Sequence, residues 1–158
     1  MMRIKESEIN RYLILLLAVS ALIRGFLAYF IEFGNDEVYY WTYAMYPDWS
    51  HFDHPPMVGF FIQLFSGNLF FFIEFFLRLS SVICMTINTY MIFLIGKQVK
   101  NEQTGFYAAL LYTASVYAFV ITGVFILPDT PLSIFTFLAV LFFIKYFQLE
   151  KNRYLLIA

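Results

Sequence analysis

No lysine or arginine occurs from Glu32 through Glu74, a stretch that holds six acidic residues with both ends counted. Charge of either sign is scarce: 13% of the chain is Asp, Glu, Lys or Arg, against about 25% in a soluble domain. That shortage excludes an ordinary water-soluble globule. The net charge is −1, so there is no basic footprint for a nucleic acid. The single cysteine, Cys84, lies in an apolar run, which excludes an internal disulfide and any CxxC-type metal spacing. There is no Asn-x-Ser/Thr sequon, no low-complexity segment and no internal repeat.

What the chain has instead is apolar length. It is 61% hydrophobic and 22% aromatic, and the excess is gathered into runs that match the roughly 20 residues needed to cross a bilayer. The first run is Tyr12–Ile31, interrupted by Arg24. A signal peptide would have an apolar core of about 7–15 residues and a small-residue cleavage site. This run is longer and leads into Ile31-Glu32-Phe33, so we read it as an uncleaved span. Glu74–Gly96, Thr104–Leu127 and Leu132–Leu149 are read as three more spans, and Tyr154–Ala158 as the first turn of a fifth. That ending suggests a fragment of a longer membrane protein, without turnover of its own.

Met57–Ile73 is apolar but broken by Ser66-Gly67-Asn68. Basic residues concentrate on the cytoplasmic side of spans. If this segment does not cross, Arg3, Lys5, Arg11, Lys97, Lys100, Lys145, Lys151 and Arg153 all fall inside, and seven acidic residues including Asp129 fall outside. We therefore expect a re-entrant or surface-lying helix pair here. The chain is then an all-α integral membrane protein of the inner (plasma) membrane with a cytoplasmic N-terminus. An outer loop at 32–73 carries interfacial helices, and a short outer turn lies at 128–131.

Three pieces on that outer side could carry chemistry. Asn35 can cap a helix beginning with Asp36 and Glu37, two acids favoured by the helix dipole. Tyr39, Tyr40, Trp41, Tyr43 and Tyr46 suit a helix at headgroup level. Starting such a helix is a sufficient structural reason for an Asp-Glu pair. The second piece is Trp49-Ser50-His51-Phe52-Asp53-His54-Pro55-Pro56. Asp53 and His54 are a hard oxygen ligand and an imidazole, a chemistry that admits a divalent metal; a solvated loop histidine is the simpler reading. The third is Pro128-Asp129-Thr130-Pro131, where Asp129 could cap the next helix with Pro131 in its first turn. Asp48 reads as a turn residue after Pro47. Within the apolar runs, Arg24 could pair with Glu32 or with a ligand phosphate. Arg78 reads as snorkelling to the interface, and Phe70–Phe72, Phe75 and Phe76 as lipid-facing.

The order of these motifs resembles one family. An Arg-bearing first span is followed by Asp-Glu-x-Tyr-Tyr-Trp, then Phe-Asp-His-Pro-Pro-Met, then Leu-Pro-Asp-x-Pro-Leu. This is similar to the polyprenyl-phosphate-sugar-dependent membrane glycosyltransferases of GT-C fold, bacterial relatives of the protein O-mannosyltransferases and the lipid A aminoarabinose transferase. The resemblance covers Tyr12 to the chain end and only the N-terminal part of such an enzyme. It implies Asp36 as general base, Glu37 as the second acid of the pair, Asp53 as ligand of a divalent metal, and His54 as a contact to lipid-linked phosphate. His54 stands where the aminoarabinose branch has Lys. Asp129 matches a family acid at the outer end of a span, and the chemistry of a leaving phosphate would make His54 or Arg24 its contact. The implied partners are a polyprenyl-phosphate-linked sugar donor, a lipid, protein or glycan acceptor, and membrane lipids. The implied reaction is inverting sugar transfer to a hydroxyl on the outer face. The alternatives are a catalytically inactive membrane assembly protein that docks through its acidic-aromatic loop, and a metal permease. A permease would place ionisable residues at mid-membrane in several spans, where this chain has only Arg24.

Overall fold

A computed structural model describes residues 6–71 and 73–158. Arg3 and Lys5 of the inside-charge argument, and Phe72 of the Phe-rich run, lie outside the described residues. The described chain is helical: α1 (Glu6–Phe30), α2 (Asn35–Met45), α3 (Met57–Phe65), α4 (Glu74–Val99), α5 (Glu102–Ala114), a π-helical turn (Tyr117–Ile121), α6 (Asp129–Leu149) and α7 (Asn152–Ile157). No strand occurs among the described residues. Among the described residues three helices are long and apolar enough to cross a membrane: Glu8–Phe30 within α1, then α4 and α6. The all-α membrane architecture expected from the apolar runs is the one found.

α4 is the axis of the bundle and packs against α1, α3, α5 and α6. Three apolar clusters mark its length. Ile9 and Leu13 of α1 meet Phe93 and Ala109 at one end. Ala28 meets Val82 and Val124 toward the other. At that second end Tyr43, Ala44, Val58 and Ile62 of α2 and α3 close on Leu77 and Ile126. α1 and α4 are thus antiparallel. α6 runs alongside α4, as Asn88 Nδ2 donates to Ser133 Oγ at 2.7 Å and Gln148 Nε2 to the Gln98 carbonyl at 2.8 Å. The result places α2, α3, the loop between them and the start of α6 at one end of the bundle. Lys97, Lys100 and Glu102 occupy the other.

α4 and α5 approach so closely that only glycine fits: a Cβ on Gly105 would lie 2.4 Å from the Phe93 carbonyl oxygen, and one on Gly96 2.7 Å from Gly105 Cα. Small residues at such crossings let backbones pack where lipid supplies no hydrophobic drive. The turn feeding α5 is capped by Asn101, whose Oδ1 accepts from Thr104 N–H at 2.9 Å.

Several local expectations change. The Met57–Ile73 segment is one short helix rather than a pair. α3 has 9 residues, about 14 Å at 1.5 Å each, too short to cross. Gly67, Asn68 and Leu69 then adopt left-handed φ of 63°, 57° and 63°, which ends the helix without starting another. The Thr104–Leu127 run is two pieces: α5 stops at Ala114 because Ser115 turns to extended geometry (ψ 127°), and the π-helical turn follows. Asn35 is not the cap of α2 but its first residue. Gly34 takes the cap position, and its N–H donates to Glu37 Oε2 at 3.1 Å.

Candidate functional site

Asp129 does not cap α6: Pro128 takes the cap position, Asp129 is the first helical residue and Pro131 lies in the first turn. Asp36 lies in the first turn of α2 at the same end of the bundle, and the Pro47–Pro56 loop lies across α2. The residues that bring the loop there are tyrosines four apart on one helix face. Tyr39 and Tyr43 both donate to Asp53 Oδ1, at 2.7 and 2.5 Å. His51 stacks on the Tyr43 ring, with centroids 3.6 Å apart and planes 14° apart. The His54 ring meets the edge of Tyr40 at 5.5 Å, and its Nδ1 lies 3.1 Å from Asp53 Oδ2. α3 follows the loop and presses on α2 so tightly that a Cβ on Gly59 would fall 2.8 Å from the Tyr43 backbone.

Electrostatics record the same meeting. The Tyr43 and Tyr39 hydroxyls, in that order, hold the Asp53 carboxyl well below the usual carboxylate range, with a smaller contribution from His54. Burial, and then the bond to Asp53, pushes the Tyr43 phenol up. Tyr40 is raised by burial first, and then by Asp53, Asp36, Tyr39 and Asp129. One phenol therefore senses the carboxylates of all three motifs, which are scattered over more than ninety positions between Asp36 and Asp129.

Two hollows adjoin this cluster and share Leu127. The first, about 430 Å³, has Tyr40, His54 and Asp129 at its polar edge and an apolar wall of Met57, Val58, Leu127, Leu132 and Phe135. The second, also about 430 Å³, is lined by Asn35, Asp36, Ile121, Phe125 and Leu127. Asp36 is exposed there, while Asp129 is half-buried and its Oδ2 accepts from Tyr117 at 3.0 Å. An exposed carboxylate beside an amphipathic hollow can accept a proton from a bound hydroxyl.

The remaining expected site residues stand differently. Glu37 is 2% exposed, and its oxygens accept from Arg78, from the Gly34 amide and, at 3.1 Å, from the Ile126 amide. Its carboxylate is fully engaged with the protein, so its geometry is that of a brace and not of a proton acceptor. Arg78 does not snorkel: it is completely buried against that brace. Arg24 does not pair with Glu32 and lines neither hollow. It is buried with Phe119 at 4.9 Å from its guanidinium carbon, and none of its three side-chain nitrogens has a hydrogen-bond partner among the described residues.

Asp53 was the expected metal ligand. Among the described residues no three His, Cys, Asp or Glu side chains group in a way that could hold a metal ion, and Asp53 Oδ1 already accepts two phenols. As arranged, these residues do not fit a resident cation. Sequence reasoning assigned the tyrosines to the headgroup layer and missed their part in the site. The Tyr39/Tyr43 spacing was the available signal.

An all-helical bundle with three membrane-length helices among the described residues defines a multi-pass membrane protein. The chain belongs to the dolichyl-phosphate-mannose-protein mannosyltransferase family, whose model matches residues 53–158. It is thus a member of a family of membrane glycosyltransferases. No curated protein and no solved structure matches. The match begins at Asp53, so it covers the Asp53-His54 and Asp129 motifs but not the Asp36-Glu37 pair.

Proposed function

We propose that this chain carries the outer-face, donor-side part of an inverting glycosyltransferase site. A sugar on a polyprenyl phosphate is transferred there to an acceptor hydroxyl. Asp36 takes the proton from that hydroxyl as it attacks the anomeric carbon, a contribution of roughly 10²–10⁴-fold. The bond to the phosphate breaks on the opposite face, and the developing negative charge needs donors aimed at it. His54 is the imidazole at the polar edge of the larger hollow, and its ring lies against Asp53, which Tyr39 and Tyr43 hold. The prenyl chain lies along the apolar wall formed by Met57, Leu132 and Phe135. The family as a whole implies a dolichyl- or polyprenyl-phosphate-sugar donor and a protein acceptor. A lipid or glycan acceptor is equally compatible with the hydroxyl chemistry.

The observation that carries this reading is that Tyr40, His54 and Asp129 line one amphipathic hollow and Asp36 lines a second that shares Leu127 with it. The test uses the full-length gene product in membrane vesicles with a polyprenyl-phosphate-sugar donor. Asp36→Asn is expected to lower turnover by at least about 10²-fold while leaving protein level unchanged. Asp48→Asn, whose carboxylate accepts only from the neighbouring Trp49 amide among the described residues, is expected to be near neutral. Equal effects from the two substitutions would sink the assignment.

A further inference from the structure

Arg78 donates to five acceptors. Nε reaches Glu37 Oε1 at 2.8 Å and Nη2 reaches Oε2 at 2.6 Å. Nη1 donates to the Ala28 carbonyl at 3.2 Å and to the Ile31 carbonyl, and Nη2 to the Glu32 carbonyl at 2.9 Å. Phe33 and Phe125 cover the guanidinium at 4.9 and 5.7 Å. Glu37 in turn accepts from the Gly34 amide that precedes α2 and from the Ile126 amide, 89 residues further along. One buried ion pair thus ties together the end of α1, the first turn of α2, the outer turn of α4 and the segment leading into Asp129.

Two of those tied segments carry the candidate chemistry. Asp36 is the neighbour of Glu37, and Asp129 follows Ile126 by three positions. Ion pairs buried this deeply are weak sources of stability, because desolvation offsets much of the attraction. What a bidentate Arg–carboxylate fork supplies is geometry. From this arrangement we infer that Arg78 and Glu37 form a positioning unit. It sets the Asp36 carboxylate against the Ile126–Asp129 segment, across the hollow lined by Asn35, Asp36 and Leu127. The inference rests on the function proposed above. It assigns Glu37 no contact with substrate. Misplacing a reacting group by about 1 Å costs on the order of 10²-fold in rate, so the unit acts on kcat and not on donor affinity.

The test uses the full-length gene product in membranes, with turnover counted per folded molecule. Glu37→Gln and Arg78→Gln are each expected to lower kcat by about 10²-fold with the donor KM unchanged. Each single variant leaves one buried charge unpaired, so membrane levels should fall. The double variant removes both charges; it should regain membrane level without regaining kcat. A second readout needs no activity. In a Cys84→Ser background, Asn35→Cys and Leu127→Cys are joined by a short bifunctional thiol reagent. The yield should fall when Glu37→Gln or Arg78→Gln is added, and also with the milder Arg78→Lys. Full kcat in the double variant would show a purely structural pair and overturn the inference. Loss of kcat in Glu37→Gln with full kcat in Arg78→Gln would make Glu37 a reacting group and overturn it as well. An unchanged cross-linking yield in every variant would do the same. If Asp36→Asn proves silent, the functional reading fails, while the cross-linking result still decides whether the pair sets this geometry.

Discussion

Tyr43 donates its phenolic hydrogen to Asp53 Oδ1 across 2.5 Å, from the inner face of α2 to a loop that would otherwise have few anchors. Tyr39 supports the same oxygen from one turn earlier, at 2.7 Å. The Phe-Asp-His-Pro-Pro motif is therefore docked by its carboxylate, while Trp49 and Phe52 are exposed, Trp49 meeting the edge of Phe60 at 6.5 Å.

The docking has a pH dependence of definite sign. Asp53 titrates well below its ordinary value of 3.8, chiefly because of the Tyr43 hydroxyl. In acid, the undocked loop binds more protons than the docked one, so docking strengthens as pH rises. The contribution is complete above the ordinary aspartate value and is lost as pH falls below it toward the depressed one. The chain has two tryptophans, and a Trp41→Phe variant leaves Trp49 as the reporter on this loop. Its fluorescence should stay constant from neutral pH to about 4 and change below that. Asp53→Asn should give the acid-type signal already at neutral pH. An acid transition of undiminished size in Asp53→Asn would refute the docking role.

Packing between α4 and α5 yields a second expectation. Gly105→Leu drives a side chain into the Phe93 backbone, where a Cβ would already sit at 2.4 Å. Overpacking of this kind costs about 1–3 kcal/mol. Gly25→Ala is the control, since its Cβ would meet nothing closer than 3.9 Å, and helix propensity favours alanine by roughly 1 kcal/mol. Thermal midpoints in detergent should fall for the first substitution and hold or rise for the second. A Gly105→Leu protein as stable as the parent would show that the helix crossing is not close in solution.

The membrane orientation is open to direct labelling. We expect Lys97–Glu102 on the cytoplasmic side, and Asp36–Pro56 and Asp129 outside, because the basic residues cluster at one end of the bundle and the site lies at the other. Lys100→Cys and Asp48→Cys, each in a Cys84→Ser background, are treated with an impermeant thiol reagent on intact cells. Position 48 should react and position 100 should not; the reverse pattern would invert the topology.

The parts of this fold that could be read from the sequence were those written in local composition. Apolar runs gave α1, α4 and α6, and the missing lysines and arginines between Glu32 and Glu74 marked the end where the site lies. Three motifs in order pointed to the family. Features that depend on long-range pairing were not legible. Arg78 and Glu37 are 41 positions apart, and an arginine near the end of a span has interfacial snorkelling as its default. The break at Ser115 carries no proline or glycine to announce it. The Tyr39–Asp53 and Tyr43–Asp53 bonds lie between, since the helical spacing of the tyrosines was visible but their partner was not.

Arg24 gives the last expectation. Its guanidinium is fully buried with no hydrogen-bond partner among the described residues, and only the Phe119 ring lies over it. A buried polar group without partners costs about 1–3 kcal/mol. Arg24→Met keeps an unbranched apolar stem of similar reach and removes the charge, so the thermal midpoint of the ligand-free protein should rise. Arg24 is the alternative to His54 as the contact of a lipid-linked phosphate, and such a ligand would supply the absent acceptor. Binding to the folded state then stabilises the parent by mass action and stabilises Arg24→Met less. The measurement is the midpoint of both proteins in detergent, with and without a polyprenyl phosphate. A lower ligand-free midpoint for Arg24→Met would mean that the arginine already has a stabilising partner. Equal ligand-induced shifts in the two proteins would remove Arg24 from the phosphate site.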